Sequence, residues 1–288
     1  MQSPSKRYEW EWFSRNMSSL AAINGNRWCA LVDLVAEADA LVARLVDRPL
    51  SYAEERPQDY VASILAVRSF RLSTSAIWLA ASGYPDSAPN LIRTVWEIGI
   101  RLLDLKVSPV AGALGFLLEG EQIKVATMKA ESDYRLARGE ATGNLDANMQ
   151  AAREMISSLE AFSLRHGLDP VKIRKSHGRL KFGAICREHG IEKAYFVNYR
   201  DMTGYAHESN LASNEFFAAS HGRGRFDLGP ITYGSLETSV DALTQLALTL
   251  SHAVDVIQDP QLVKPAELFL QGIGDRYALA KAARAKIG

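Results

Sequence analysis

The chain has 288 residues, 47% of them apolar, and its 33 basic residues balance 33 acidic ones. That is enough for one large domain or two small ones with a substantial core, and neutrality excludes a strongly basic nucleic-acid sleeve while leaving room for a local basic patch. Two cysteines, Cys29 and Cys186, make neither a C-x-x-C zinc framework nor a disulfide scaffold, as expected in a reducing cytoplasm.

The N-terminus, MQSPSKRYEWEWFSRNM, is polar and aromatic rather than a charged tip followed by an apolar run, so no secretory signal is expected. Residues 1–24 read as an arm in which Trp10, Trp12 and Phe13 need a surface to cover them. Asn26 is placed to cap a first helix running to about Val46, where Leu31, Leu34, Val35, Ala38, Leu41, Val42 and Leu45 keep helical spacing. Asp47-Arg48-Pro49 stops it. A second helix is predicted from about Asp59 to Ala81, ended by Gly83-Tyr84-Pro85.

Pro89 then opens the central helix, since proline suits a first turn. Within Asn90–Asp104 the residues Leu91, Ile92, Val95, Trp96, Ile98, Ile100, Leu102 and Leu103 make the helix apolar on nearly every side, which predicts a place in the middle of the protein. Arg93, Glu97, Arg101 and Asp104 nevertheless fall within an arc of roughly 80°. A charged stripe on a core helix is either the wall of a site or an ion-pair ladder, because unpaired buried charge is costly. The same charges, with Lys106, exclude a membrane span over Leu91–Leu118.

Val107-Ser108-Pro109 breaks the chain before a fourth helix, about Val110 to Arg138, which turns polar and projects past the core. Asp146 to His166 is a fifth, amphipathic helix. After the turn Gly167–Pro170 comes a basic segment with Lys172, Arg174, Lys175, Arg179 and Lys181, then a short helix from Lys181 to His189 and another from Ile191 to about Glu208. From Asn210 to Tyr233 the pattern loosens, with a glycine-rich basic run at His221–Arg225. Ser235 to Ile257 is a long amphipathic helix, and one or two small helices follow Asp259-Pro260. No strand pair is expected. The prediction is an all-α fold: an arm at 1–24, a single helical bundle with peripheral helices over 25–258 and a loose loop near 210–233, and a helical extension over 259–288.

Phosphate-loop, dinucleotide, zinc-protease and nucleophile-elbow motifs are absent, and His166, His177, His189, His221 and His252 stand singly without ligand spacing, as surface or satisfied core residues do. No metal and no cofactor are expected. The chemically suggestive run is Asn198-Tyr199-Arg200-Asp201-Met202-Thr203-Gly204-Tyr205-Ala206-His207. On one helix Arg200 and His207 return to nearly the same face but stand roughly 10 Å apart along the axis. An antiparallel second copy would bring the arginine of one chain beside the histidine of the other. Guanidinium clamps phosphate, and imidazole transfers protons near neutral pH.

Arg200-Asp201 followed after five residues by His207 resembles the Arg-polar-x-His signature of HEPN domains. Many of these all-helical domains are metal-independent endoribonucleases, often dimeric toxins or phage-defence effectors. The resemblance implies that Arg200 binds the scissile phosphate, that His207 acts as acid or base while the ribose 2′-hydroxyl attacks, and that Asp201 fills the polar position. It covers only that short motif. The run Asn90–Glu97, with a late Tyr199…His207 helix, also resembles a bacterial all-helical family of unknown function over about residues 60–258.

The first expectation is therefore a cytoplasmic, homodimeric HEPN-like ribonuclease with RNA as substrate, a protein neutraliser as possible partner and no membrane. Arg200, His207 and Asp201 are its catalytic residues, and Arg93, Glu97, Arg101, Tyr199 and Tyr205 support them. Arg93 and Glu97 are expected to form part of a buried network facing Tyr199 and His207. The alternative is a non-catalytic binding or scaffold module in which a buried Arg-Glu-His cluster fixes packing. A third, weaker idea is a metal-dependent hydrolase using Glu97, His207 and Glu208.

Overall fold

The computed structural model describes residues 29–47, 56–82, 84, 87–178, 182–194, 217–220, 223–226 and 235–285. The aromatic arm 1–24, Asn26, and the run 195–216 with Tyr199, Arg200, Asp201, Tyr205, His207 and Glu208 lie outside the described residues.

The protein is all-α, as the periodicity predicts, with helices α1 (Cys29–Val46), α2 (Pro57–Ala81), α3 (Pro89–Val107), α4 (Pro109–Ala137) and α5 (Leu145–Arg165). A short α6 (Pro170–Ile173) runs into a π-helical turn at Arg174–Gly178, followed by α7 (Phe182–Glu188) and the single turn α8 (Glu192–Ala194). Two long helices close the chain, α9 (Ser235–Ile257) and α10 (Pro260–Ala285). Prolines open α2, α3 and α4 at their first turns, where a missing N–H removes no intrahelical bond.

α2, α3 and α9 pack mutually, α1 and α10 cover them, and one core runs through all five: Leu34, Val61, Ile77, Leu102, Leu246 and Phe269 are all buried in it. α2 and α9 are long and apolar enough to cross a membrane by length and composition alone, but they lie packed against each other inside the bundle. Arg56 ties their ends, donating to the carbonyls of Val256 and Ile257 at 3.3 and 3.0 Å. These are among the C-terminal carbonyls a helix leaves unbonded. A second cluster (Leu114, Leu118, Leu159, Phe162 and Ile173) joins α4, α5 and α6. Beyond it α4 carries mostly exposed residues and leans on α5 alone, with Ser132 and Met149 buried, which is the predicted projection.

Two expectations need correction. A strand pair does exist: β1 (Phe217–Ser220) pairs antiparallel with β2 (Arg223–Phe226), in the register Phe217↔Phe226 to Ser220↔Arg223. Four-residue strands without β-branched residues give too little alternation to detect, although the two-residue link His221-Gly222 has the length and glycine that tight hairpins favour. The C-terminal stretch is one helix of 26 residues rather than small pieces, although Pro265 lies inside it. Leu262, Ala266, Phe269 and Ile273, spaced four, three and four apart, enter the main core and hold α10 together across the proline.

The α3–α9 contact carries a titratable group. Lys106 at the end of α3 pairs with Asp255 of α9 at 2.7 Å. Burial holds the nearby His252 imidazole below its ordinary 6.5; Asp255 opposes this, while Lys106 and His189 add to it. In the unfolded chain His252 takes its proton near 6.5, but in the native protein only at lower pH. Between those two values the unfolded state binds more protons, so stability is lost as pH falls through that window and not above it. Thermal melts between about pH 7.5 and 5.5 should show a larger loss for wild type than for His252→Leu. Equal losses would mean that this imidazole is not held neutral.

Candidate functional site

The charged stripe of α3 exists, and helix geometry explains its place. Ile92, Ile98, Leu102 and Leu105 enter the main core, whereas Trp96, Ile100 and Leu103 pack with Cys186, Phe182 and Ile185 of α7. Arg93, Glu97, Arg101 and Asp104 occupy the arc between these two apolar faces. Burial pushes the Cys186 thiol up to about 11, its own backbone hydrogen bond opposes this and Glu192 adds to it, so Cys186 serves as core rather than as a nucleophile.

The stripe divides into two halves. In the first, Arg93 Nε donates to Glu97 Oε1 at 3.1 Å. Their side chains are 24% and 26% exposed, so the pair is half-buried rather than sealed in the core. The predicted approach of Tyr199 and His207 to this pair lies outside the described residues.

The second half is a polar cluster between α3, α4 and the π turn. Asp169 caps α6, accepting from the amides of Val171 and Lys172, and Pro170 fills the first helical position. The helix then widens at Arg174–Gly178, so the carbonyls at its end need outside donors. Arg101 supplies them, donating through one terminal nitrogen to the His177 carbonyl and through the other to the Gly178 carbonyl at 2.7 Å. Its guanidinium also lies over the Phe116 ring, 5.4 Å from the centroid. Burial brings the Arg101 guanidinium down to about 10, against the opposing pull of Asp104 and then Glu119.

Asp104, one turn further along α3, faces His177. Its two carboxylate oxygens lie 3.0 and 3.1 Å from His177 Nδ1. A carboxylate only accepts, so Nδ1 carries the proton and the ring is fixed in orientation. The His177 side chain remains 18% exposed, and its Nε2 makes no hydrogen bond among the described residues.

Glycines make this approach possible. A Cβ on Gly115 would stand 2.6 Å from His177 Cβ and 2.9 Å from the Ile173 carbonyl oxygen. One on Gly112 would meet Asp104 Oδ2 at 3.3 Å, and one on Gly178 would meet Glu119 Cβ at 3.1 Å. α4 therefore lies almost backbone to backbone against the turn. Periodicity flags Arg101 and Asp104, but His177 reads as an isolated histidine in a basic segment. The available signal was the pair Gly112 and Gly115 on one helix, close in sequence to Asp104.

Chemically, the cluster can hold a basic turn rigidly against the central helix while leaving the His177 side chain partly exposed. A family model described as a family of unknown function (DUF5677) matches residues 59–224, a stretch that contains the α3 stripe, the clamped turn and the 198–207 run. No curated protein and no solved structure matches the chain.

Proposed function

We propose that this chain, which belongs to the DUF5677 family of unknown function, cleaves RNA without a metal ion in the manner of HEPN domains. The observation that carries the reading is the Arg200-Asp201…His207 motif, which falls inside the family-matched stretch of an all-α protein. Arg200 holds the scissile phosphate. His207 takes the proton of the ribose 2′-hydroxyl as its oxygen bonds to phosphorus, or returns a proton to the departing 5′-oxygen; a second copy of the chain supplies the complementary group. Asp201 stands at the motif's polar position, with Tyr199 and Tyr205 flanking the pair. Arg93 and Glu97, half-buried on α3, are its supporting charges. The proposed setting is cytoplasmic, with a protein neutraliser as partner.

The purified protein is expected to cut single-stranded RNA in the presence of a chelator, and Arg200→Ala or His207→Ala to slow cutting by about 10²-fold or more. RNA left intact by the wild type, or cut equally fast by both variants, would end the reading.

A second reading has its own observation. Arg101, Asp104 and His177 satisfy one another and the π turn, as charges in a non-catalytic binding or scaffold module would. In that case His207 is also a packing residue, and its loss lowers stability rather than activity.

A further inference from the structure

We infer that the clamped turn at 170–178 is a docking site for the RNA backbone, in which Lys172 and Lys175 neutralise phosphates and His177 Nε2 hydrogen-bonds to the strand. This deepens the RNA-cleaving reading and takes the identity of the polyanion from it.

The first ground is charge. From Pro170 to Arg187 the sequence holds Lys172, Arg174, Lys175, Arg179, Lys181 and Arg187 and no acidic residue, in a chain whose net charge is zero. A run of positive charge along the sequence of a neutral protein, with Lys172 and Lys175 exposed on the turn, fits a polyanion site.

The second ground is how the turn is built. Its inward-facing polar groups are consumed by α3: Arg101 takes two carbonyls and Asp104 takes Nδ1 of His177. The lysines are left outside. Lys172 is 84% exposed, with its ammonium a loose 3.9 Å from Asp169, and Lys175 is exposed as well. His177 differs from both because its ring is held from behind, so Nε2 is aimed before any ligand arrives. Packing alone needs only the inner contacts; it does not require an oriented, partly exposed imidazole on a turn that also carries two solvent-facing lysines.

The test uses the full-length chain carrying His207→Ala, so that bound RNA stays intact, and a labelled single-stranded RNA 20-mer titrated by fluorescence anisotropy across a range of NaCl. Lys172→Glu with Lys175→Glu should weaken binding at least tenfold and lower the salt slope by about 1.4, the change expected for two lost phosphate contacts on a single strand. His177→Asn keeps a donor near the Nδ1 position for Asp104 but removes Nε2. It should weaken binding several-fold at an unchanged melting temperature. Unchanged affinity and slope in the double-lysine variant would overturn the docking site, and unchanged affinity in His177→Asn would overturn the role of the imidazole. Lysine-dependent binding to phosphatidylserine vesicles with none to RNA would also overturn it. A wild type that binds RNA through these lysines but does not cut it would remove the nuclease reading and leave this site standing. One that cuts RNA while the lysine variant binds normally would do the reverse.

Discussion

Gly115→Ala should destabilise the protein by about 2–3 kcal/mol, far more than an alanine usually costs inside a helix, where it is favoured over glycine. The added methyl would lie 2.6 Å from His177 Cβ and 2.9 Å from the Ile173 carbonyl oxygen. Neither obstacle is the free end of a flexible side chain, so the turn must move off α4. That movement pulls the His177 and Gly178 carbonyls from Arg101 and the imidazole from Asp104, while Leu114, Leu118 and Ile173 lose contact in the second core cluster. A fall in melting temperature of roughly 5–10 °C is expected for a domain of this size. Gly120→Ala is the internal control, because nothing stands within 4 Å of its added methyl; it should match or slightly exceed wild type. Equal stability of the two variants would show that the turn does not lie against α4 as described.

Arg101→Met should cost about 2–4 kcal/mol, since two part-buried carbonyls lose their charged donor and each unsatisfied group costs about 1–3 kcal/mol. Methionine preserves much of the apolar stem over Phe116 but leaves two carbonyls without their donor. It also removes a positive charge that interacts with Asp104 and Glu119. Arg101→Lys should recover only part of the loss, because an ammonium cannot span two carbonyls as the planar fork does. Lys106→Ala makes the comparison informative: its pair with Asp255 is exposed, and its removal should cost no more than about 1 kcal/mol. Urea denaturation of the three variants gives the ranking. If Lys106→Ala proves as costly as Arg101→Met, Arg101 is not the clamp described.

What could be read from the residues, and what could not, follows from the range of the interactions. Helix limits were largely legible because they are set locally: Pro89 opens α3 as read, α2 and α4 begin within two residues of their expected starts at Asp59 and Val110, and α4 and α5 end within a residue of where their patterns fade. The four charges on α3 were legible because a period of 3.6 residues places them on one arc. The i,i+4 pair Arg93–Glu97 was legible too, but the partners of Arg101 and Asp104 were not. Asp104 and His177 are 73 positions apart, and no spacing rule links them. The C-terminal helix was longer than its pattern suggested because core packing keeps it whole across Pro265. The β1–β2 pair escaped notice because four residues are too few for an alternating pattern. The motif at 200–207 was visible as chemistry, while its placement depends on residues outside those described.

The central claim, that His207 acts on RNA rather than on packing, is most directly tested by measuring cleavage and thermal melting side by side for His207→Ala. The account predicts that cutting of single-stranded RNA falls by about 10²-fold or more while the melting temperature stays within about 2 °C of wild type. A substantially lower melting temperature with cleavage unchanged would contradict it, and would make His207, like His177, part of the framework.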